Sequence, residues 1–421
     1  MRPCTAARGV IHLNESEPAR MRDLLDGVRV LDLTTVLAGP LAAYQLSLFG
    51  ADVIKVEAPD GGDVARELGS DAQLREMGMG APFLAQNSGK RAITVNLKSD
   101  GGRQVFERLL GRSDVLIENM RPDVLARLGF SWPKLHQINS RLVYCALSGF
   151  GQHGPLATRP AYDQIIQGLA GMSDVTGYPD RGPLRVGFPI CDTMGGLAAA
   201  MAVCAALNGR DRTGSGCMVD VSMLDTALAS MGWVVSDYLI AGRIPGRLGN
   251  ENATSAPSGT VSTASGELNI AANTEAQFAA TCDVIGRPDL RADPRFITRE
   301  NRKAHRDELR AELEVTLAGR PATEWEALLT AAGVPAGVVL TVPEALEQPQ
   351  VRSRQLVHTV CVTGSTPARS VEILGNGVHV DGEPLTPSMA PPRLGEHTAE
   401  ILESIGYSAP DIANLRREGA I

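Results

Sequence analysis

Short apolar segments alternate with amphipathic segments through the first third of the chain. The apolar segments predict strands at residues 28–33, 52–57, 91–97, 114–118 and 141–147. Residues 41–49 and 101–110 place apolar side chains at helical spacing, and Gly50 suits the end of the first helix. Strands that alternate with helices predict a parallel sheet with helices on both faces, and ligands bind such sheets beyond the carboxyl ends of the strands.

The middle of the chain has a different pattern. We expect an Ala-rich helix at residues 197–207, an alternating strand at 217–223 and a long helix at 225–239. Residues 243–266 are rich in Gly, Asn, Ser and Pro and predict a loop. The elements predicted beyond this loop are a strand at 267–272, helices at 276–285, 302–317 and 323–332, and a strand at 334–339.

These patterns predict an α/β fold in two domains, as expected for 421 residues. The large domain has a parallel, Rossmann-like sheet, and the smaller central domain is α+β. The predicted ranges are a flexible N-terminal extension at 1–22, most of the large domain at 23–229, the small domain with its linkers at 230–335, and the return to the large domain at 336–421. Thr323 with Glu326 predicts a capping box, and Thr398 and Ser408 are predicted N-caps.

Composition excludes several classes of function. The formal charge of −8 and the lack of dense Lys/Arg clusters argue against a nucleic-acid partner. Seven scattered cysteines without Cys-x-x-Cys spacing indicate reduced thiols, and the seven histidines show no paired metal-ligand spacing. Residues 1–20 lack a signal-peptide core, and the apolar residues 197–207 are too few to span a membrane. We therefore expect a cytoplasmic protein without a metal or a membrane partner.

Asp192 is the candidate catalytic residue with the most distinctive surroundings. It follows apolar residues 188–191 and precedes Gly195, Gly196 and a helix of small residues. A carboxylate at a strand-to-helix junction lies beside free backbone N–H groups, which suits attack on a carbonyl. The alternative is that Asp192 only caps the helix that follows it. The neighbouring Cys191 is expected to be a buried, unreactive thiol.

Some features suggest nucleotide binding but have structural alternatives. Residues 149–154 fit Gly-x-Gly-x-x-Gly after a strand, but Pro155 and Pro160 interrupt the helix that a dinucleotide site requires. Glu57 ends a strand where an acid could bind ribose, although the preceding loop lacks the glycines of such a site, which favours a structural role. The cations near the strand ends, which either hold phosphates or are solvated surface charge, are Lys90, Arg91, Lys98, Arg121 and Arg127.

Many segments in the same order resemble one protein family. They are residues 27–32, 37–40, 50–57, 89–91, 115–119, 149–152, 162–163, 192, 213–216, 332–335 and 394–398. Through them the chain is similar, from about residue 24 to its C-terminus, to the family III CoA-transferases. This is the formyl-CoA transferase and carnitine CoA-transferase family, which also includes α-methylacyl-CoA racemase. The pattern looks closest to dicarboxylate members such as succinyl-CoA:glutarate CoA-transferase.

The resemblance implies that Asp192 is a nucleophile and that coenzyme A, as an acyl-CoA, is the co-substrate. It also implies an interlocked homodimer. The residues that it places at the cofactor site are Val36, Leu37, Ala38, Val95, Lys98, Asn119, Met120, Arg127 and Tyr162. Formyl-CoA transferase has an arginine where Ala58 stands and a lysine where Pro160 stands, so the resemblance does not determine the phosphate contacts of this chain.

The resemblance also bears on the reaction. The racemase branch has a histidine directly before the position of Asp163, whereas this chain has Tyr162, too weak an acid near neutrality to move an α-proton readily. A transferase is therefore expected, with an acyl-CoA racemase and a non-catalytic CoA-binding protein as alternatives. The expected donor is succinyl-CoA and the acceptor a small dicarboxylic acid. Arg185 either binds the second carboxylate or pairs structurally, and residues 249–259 are expected to cover the acyl pocket.

Overall fold

The computed structural model describes residues 23–362, 364 and 369–421, so the predicted N-terminal extension at 1–22 lies outside the described residues. The strands are β1 Arg29–Leu33, β2 Asp52–Glu57, β3 Lys90–Thr94, β4 Val115–Glu118, β5 Val143–Ser148, β6 Met218–Ser222, β7 Ser258–Ser262, β8 Glu267–Ala271, β9 Ala336–Val338, β10 Val357–Val362, β11 Arg369–Leu374, β12 His379–Val380 and β13 Glu383–Pro384. The helices are α1 Ala38–Leu48, α2 Ala72–Glu76, α3 Ala81–Asn87, α4 Asp100–Leu110, α5 Val124–Arg127, α6 Trp132–Ile138, α7 Asp163–Leu169, α8 Met172–Val175, α9 Ile190–Thr213, α10 Met223–Ser230, α11 Gly232–Ala241, α12 Glu275–Val284, α13 Arg299–Ala304, α14 Arg306–Leu317, α15 Ala322–Ala331, α16 Val342–Glu347, α17 Pro349–Ser353, α18 Thr398–Ser404 and α19 Ala409–Arg417. Short 3-10 helices run Val64–Glu67 and Pro288–Arg291.

The largest sheet has six parallel strands in the order β3-β2-β1-β4-β5-β6. Its strand order reverses between β1 and β4, where the loops that follow these strands leave in opposite directions and open a crevice. The predicted parallel α/β fold is confirmed. The crevice at the ends of β1 and β4 is the position at which sheets of this topology bind ligands.

Apolar side chains cover both faces of this sheet. On one face the core includes Ala42, Leu46, Ile166, Ala199 and Val203, from helices α1, α7 and α9. On the other face it is formed with side chains of α4, α6, α18 and α19. The strands are continuous apolar runs because both of their faces are buried, as parallel sheets require.

The described chain divides into two compact units. The first contains the described residues of the segments Met1–Met172, Val186–Val235 and Gln350–Ile421, and with them the parallel sheet. The second contains Ser173–Arg185 and Ser236–Pro349. Its core lies between the antiparallel sheet β7-β8-β9 and helices α12, α14 and α15.

Helix α9 differs most from its predicted range. The pattern predicted residues 197–207, but the helix runs from Ile190 to Thr213 and therefore includes Asp192. The length predicted from the sequence was therefore too short. The observed helix is long and apolar enough to cross a membrane, a criterion that a helix in a protein core also meets. Its buried residues include Gly195, Ala199 and Val203, which pack in the core of the first unit.

Other helix boundaries also differ from the predictions. The helix predicted at 225–239 is two helices, α10 and α11, which are separated at Met231; Gly232, a poor helix former, is the first residue of α11. The helix predicted at 302–317 is likewise divided, at His305. The N-cap of α15 is Pro321, so the predicted Thr323 capping box was wrong. Ser408 is the N-cap of α19 as predicted, whereas Thr398 is inside α18.

Candidate functional site

Asp192 lies in the first turn of helix α9. The N-cap residue of this helix is Pro189, so the alternative that Asp192 is only an N-cap is wrong. The Asp192 side chain is half-buried. Among the residues that the structure describes, none donates a hydrogen bond or forms an ion pair to its carboxylate. Within the described part of the chain, the acidic side chain of Asp192 therefore has no structural partner.

A second carboxylate, Asp163, holds the backbone beneath Asp192. Asp163 Oδ1 accepts hydrogen bonds from the N–H groups of Cys191 and Asp192, at 2.7 and 3.3 Å. Its Oδ2 accepts from Gln167 Nε2 at 2.6 Å, and Gln167 Oε1 accepts from the Val186 N–H at 2.8 Å. These bonds satisfy N–H groups that the start of a helix leaves without acceptors, and they fix the first turn of α9 on α7.

The electrostatics of the site distinguish the two candidate nucleophiles. Burial, and secondarily the charge of Asp163, raises the pKa of Asp192 to about 7. Burial raises the pKa of the Cys191 thiol to about 12, so it stays protonated at neutral pH. This supports the prediction that Cys191 is unreactive, and it leaves Asp192 as a carboxyl group that titrates near neutrality.

Gly196 brings the first turns of α9 against the start of α1. A Cβ atom at this position would lie 2.5 Å from the Ala38 carbonyl oxygen, closer than such atoms approach. Glycine therefore allows the two helices to touch, so Asp192 lies on a helix that contacts the first residue of α1, directly after the loop that follows β1. Gly195 and Gly196 are themselves beyond the first four residues of the helix, so their N–H groups bond to helix carbonyls and are not free for a substrate.

The loop after β1 contains the predicted cofactor residues Val36 and Leu37, and the third, Ala38, is the first residue of α1. Asn119, which follows β4, spans the crevice to this loop: its Oδ1 accepts from the Thr35 N–H at 2.9 Å, and its Nδ2 donates to the Thr35 carbonyl at 2.8 Å. The structure thus brings the first loop, Asn119 and the start of α9 together at one end of the sheet. This end is the crevice between β1 and β4.

The other predicted cofactor residues are more dispersed. Met120 follows Asn119 and donates its N–H to Glu118 Oε2 at 2.6 Å. Val95 is only 3% exposed, so its side chain offers a ligand little surface. Lys98 and Arg127 have exposed side chains. Tyr162 is 74% exposed and directly precedes Asp163. The cofactor roles of all these residues stay predictions.

Two of the cations considered for phosphate binding are committed to the fold. Lys90 is fully buried and donates to Asp32 Oδ2 at 2.7 Å. Arg91 pairs with Asp52 at 2.7 Å and with Glu400 at 2.9 Å. The phosphate interpretation of Lys90 and Arg91 was therefore wrong. Lys98, Arg121 and Arg127 remain exposed.

The nucleotide-binding alternatives have structural explanations. Glu57 binds Arg66 through both carboxylate oxygens, at 2.8 and 2.7 Å, and is buried, as its structural interpretation required. No helix opens at residues 149–154, and the next helix begins only at Asp163. Within the described ranges, no group of three or more His, Cys, Asp or Glu side chains could hold a metal ion.

Sequence reasoning missed the side chains that support the first loop. Lys55 and Asp63, both fully buried, form an ion pair at 3.1 Å and bind the backbone of this loop. The sequence feature that could have identified Lys55 is a charged residue inside the buried strand β2. A lysine is fully buried only when it is paired, so this position indicates a buried partner. Asp63 gave a weaker signal, since an aspartate after two glycines is common in turns.

The second unit contains the predicted cover of the acyl pocket. Residues 249–252 line a cleft of about 530 Å³ together with residues of β7, β8 and β9, among them Ser258, Asn269 and Ala336. Arg185 lies in the same unit and is exposed. The roles of residues 249–259 and of Arg185 stay predictions.

Comparisons with known proteins agree with this arrangement. Residues 25–398 match CoA-transferase family III. The chain is 38% identical to an acetyl-CoA:oxalate CoA-transferase of Acetobacter aceti, over 95% of this chain and 100% of that protein. It is 36% identical to a succinate–glutarate CoA-transferase of Agrobacterium fabrum, over 90% and 95% of the two chains. A crystal structure of a CAIB/BAIF family protein from Brucella suis superposes with a TM-score of 0.80 at 35% identity, over 90% of this chain and 99% of that one. The chain therefore belongs to CoA-transferase family III, whose members are enzymes that use CoA thioesters as co-substrates.

Proposed function

We propose that this enzyme transfers CoA from succinyl-CoA to a small dicarboxylic acid through a covalent intermediate on Asp192. The observation that carries the proposal is the Asp192 carboxyl group, which is half-buried, lies on a fixed helix turn and has no partner among the described residues. A carboxylate that stabilised the fold would be paired, because burial without a partner is costly. Its unpaired state is consistent with a role toward a substrate.

The proposed reaction exchanges one thioester for another. The Asp192 carboxylate attacks the thioester carbonyl of the donor, the C–S bond breaks, and CoA leaves as a thiolate, which gives a mixed anhydride. The thiolate then attacks Asp192 Cγ, and the donor acid leaves. The acceptor carboxylate attacks the resulting aspartyl thioester and releases the thiolate, which attacks the acceptor carbonyl and frees Asp192. Together, these steps replace one difficult transfer with several easier ones, as in covalent catalysis generally.

The crevice between β1 and β4 is the proposed site of CoA. It is lined by the loop that contains Val36 and Leu37, by Ala38, and by Asn119 and Met120. The N-cap position of α1 is Leu37, which has no side-chain oxygen to cap the helix. The start of a helix favours an anion such as a phosphate group of CoA. The contact at Gly196 puts the helix of Asp192 against Ala38, the first residue of α1.

The substrate proposal rests on the relatives and on charge. The two relatives above are named for oxalate and for succinate and glutarate, all dicarboxylic acids. A second carboxylate needs a cation, and the exposed Arg185 is the proposed partner.

The proposed homodimer has support in the apolar surface of α11. None of the residues of this helix, all of which the structure describes, is buried, although Leu239 and Ile240 are large and apolar. Exposed apolar surface of this kind marks an interface. Light scattering that gave the mass of a monomer for the active protein would refute the proposal. A cytoplasmic location stays a prediction.

An exchange assay tests the proposed function. The protein is incubated with succinyl-CoA and one of a panel of mono- and dicarboxylic acids, and CoA esters are measured by mass spectrometry. We expect a new CoA ester with a dicarboxylic acid, and free succinate in equal amount. Reactions without the acceptor measure hydrolysis. Formation of esters only with monocarboxylic acids would refute the substrate class, and α-deuterium uptake without exchange would support the racemase.

The pKa of Asp192 predicts the pH dependence of the reaction. Because only the carboxylate attacks, and its pKa is about 7, we expect kcat/KM to fall about tenfold for each pH unit below that value. The measurement is kcat/KM for succinyl-CoA between pH 5.5 and 8.5, over a range in which thermal unfolding shows a folded protein.

A second carboxyl group must be separated from Asp192 in that profile. Burial raises the pKa of Glu118 to about 7 as well, and Glu118, at the end of β4, accepts a hydrogen bond from the N–H of Met120, a proposed CoA contact. The Glu118→Gln variant should keep the same inflection. An inflection that disappeared in this variant would assign the titration to Glu118 and contradict the prediction.

A further inference from the structure

Along the turn after β1, every backbone N–H and carbonyl group from the Thr34 N–H to the Val36 N–H forms a hydrogen bond with a side chain. The Thr34 N–H donates to Asp32 Oδ1 at 3.1 Å, and Lys55 Nζ donates to the Thr34 carbonyl at 2.8 Å. Asn119 binds both polar groups of Thr35. The Val36 N–H donates to Asp63 Oδ1 at 3.0 Å. The shape of the turn is thus set by side chains from three other segments of the chain.

Val36 has an unfavourable backbone conformation. Its φ is 70°, in the left-handed region that β-branched residues rarely adopt. The conformation costs roughly 1–2 kcal/mol for a residue with a Cβ atom. A turn with this geometry persists only when its surroundings hold it, and the hydrogen bond to Asp63 acts on Val36 itself.

Asp63 is in turn fixed by buried neighbours. Its Oδ1 also accepts from the Ala65 N–H at 2.9 Å, and its Oδ2 lies 3.1 Å from Lys55 Nζ. Its own N–H donates to Glu57 Oε1 at 3.0 Å, and Glu57 is held by Arg66. Asp63 therefore cannot move without disturbing a network of buried charges, and it transmits that rigidity to Val36.

We propose that Asp63 is a positioning residue for the CoA site: it keeps Val36 left-handed and thereby holds residues 34–37 in the form that receives CoA. The inference rests on the proposed function, because it takes this turn as part of the cofactor site. Since the turn is already ordered before CoA arrives, binding does not have to supply the free energy of ordering it. Loss of the hydrogen bond should therefore weaken CoA binding more than it changes the chemical step.

Two substitutions of Val36 separate backbone shape from side-chain contact. Both Val36→Pro and Val36→Gly remove the same side chain. Proline fixes φ near −65° and has no N–H, whereas glycine adopts positive φ without strain. We expect the Kd of CoA, measured by titration calorimetry, to be at least about tenfold higher for the proline variant than for the glycine variant. Val36 is half-buried and lies outside the buried ion pair, so both variants should fold.

Two substitutions of Asp63 test the same bond from the other side. Asp63→Ala removes the acceptor, while Asp63→Asn keeps an Oδ1 that can accept from Val36 and Ala65. Both remove the carboxylate that forms the ion pair with Lys55 and should lower the melting temperature. We expect the alanine variant to raise KM for succinyl-CoA about tenfold with kcat within about threefold, and the asparagine variant to recover most of KM.

The outcomes distinguish this inference from the proposed function. A wild-type protein that does not bind CoA would overturn both. A wild-type protein that binds CoA, with equal Kd values for Val36→Pro and Val36→Gly, would overturn the inference alone. The inference would also be overturned if, in both Asp63 variants, KM rose only in proportion to the loss of melting temperature, because a purely structural role predicts that result. Should Asp63→Ala fail to fold, the Val36 pair decides the question.

Discussion

Replacing Asp192 with asparagine should lower the rate of CoA transfer at least about a thousandfold, because an amide cannot form the acyl intermediate. The change is nearly isosteric and breaks no hydrogen bond or ion pair among the described residues. We therefore expect the variant to fold and to bind CoA within about threefold of the wild-type affinity. Exchange with succinyl-CoA, measured by mass spectrometry, checks the rate.

The stability of the same variant gives an independent result. The pKa of Asp192 is about 7 in the folded protein, above the ordinary value of 3.8. A raised carboxyl pKa means that ionisation destabilises the folded state, by an amount that grows from pH 3.8 up to about pH 7 and persists above it. Asp192→Asn should therefore melt at a higher temperature than the wild type at pH 8, and show little difference at pH 4.

The controls for Asp192 use a similar residue and a chemical trap. Asp225 also lies in the first turn of a helix, α10, and is exposed, so Asp225→Asn should keep wild-type transfer. Asp192→Ala, which cannot revert by deamidation, should be as inactive as the asparagine variant. With succinyl-CoA present, hydroxylamine should leave an aspartyl hydroxamate in the peptide that contains Asp192. A hydroxamate on another residue, or transfer above about a tenth of wild type, would contradict the assignment.

The strands of the parallel sheet could be predicted closely because burial on both faces makes each of them a continuous apolar run. β2 has the predicted range, 52–57, and the other strands of this sheet shift by only a few residues at their ends. The short, regular spacing of these runs also led to the correct sheet class. Local sequence thus contained most of the information that determines this part of the fold.

Helix ends were harder to predict because distant residues determine them. Residues 190–196 include a proline-flanked start and two glycines, which locally indicate a loop, yet they form the start of α9. The stabilising group is Asp163, which is 29 residues away and accepts from the first N–H groups. Similarly, α15 begins at Ala322, whose N–H donates to the Ser265 carbonyl, so the local capping signal of Thr323 had no effect.

In the candidate site, too, some features could be predicted from local sequence, whereas others depend on residues far away in the chain. Asp192 could be proposed from its neighbours and from family resemblance. The lack of a partner for its carboxylate among the described residues, and the contact of its helix with Ala38 at Gly196, depend on folding. The turn at Val36 depends on Asp63, which is 27 residues away, and neither residue has an unusual local sequence. Contacts between segments far apart in sequence are invisible to periodicity, which reports only which face of an element is buried.

The buried charges beneath the site predict the second large effect: Lys90→Met should lower the free energy of unfolding by about 3–5 kcal/mol. Lys90 and Asp32 are both fully buried and form an ion pair at 2.7 Å. Lys90 also donates to the Pro40 carbonyl and to Asn87 Oδ1, each at 2.9 Å. Methionine fills similar space but leaves the Asp32 carboxylate and two other acceptors without this donor. Urea denaturation followed by circular dichroism measures the change.

A surface pair and a double substitution test this explanation. Lys134 pairs with Glu107 at 3.3 Å, but both side chains are more than 40% exposed, so Lys134→Met should cost less than about 1 kcal/mol. Adding Asp32→Asn to Lys90→Met removes the stranded charge and should recover about 2 kcal/mol of the loss. Burial would raise the pKa of Asp32, but Lys55 and Lys90 outweigh it and hold that pKa below the ordinary value. Lys55 therefore still attracts the stranded carboxylate in the single variant, which places the expected loss toward the lower end of the range. Equal losses for Lys90→Met and Lys134→Met would show that the cost arises from shortening a lysine and not from an unpaired buried charge.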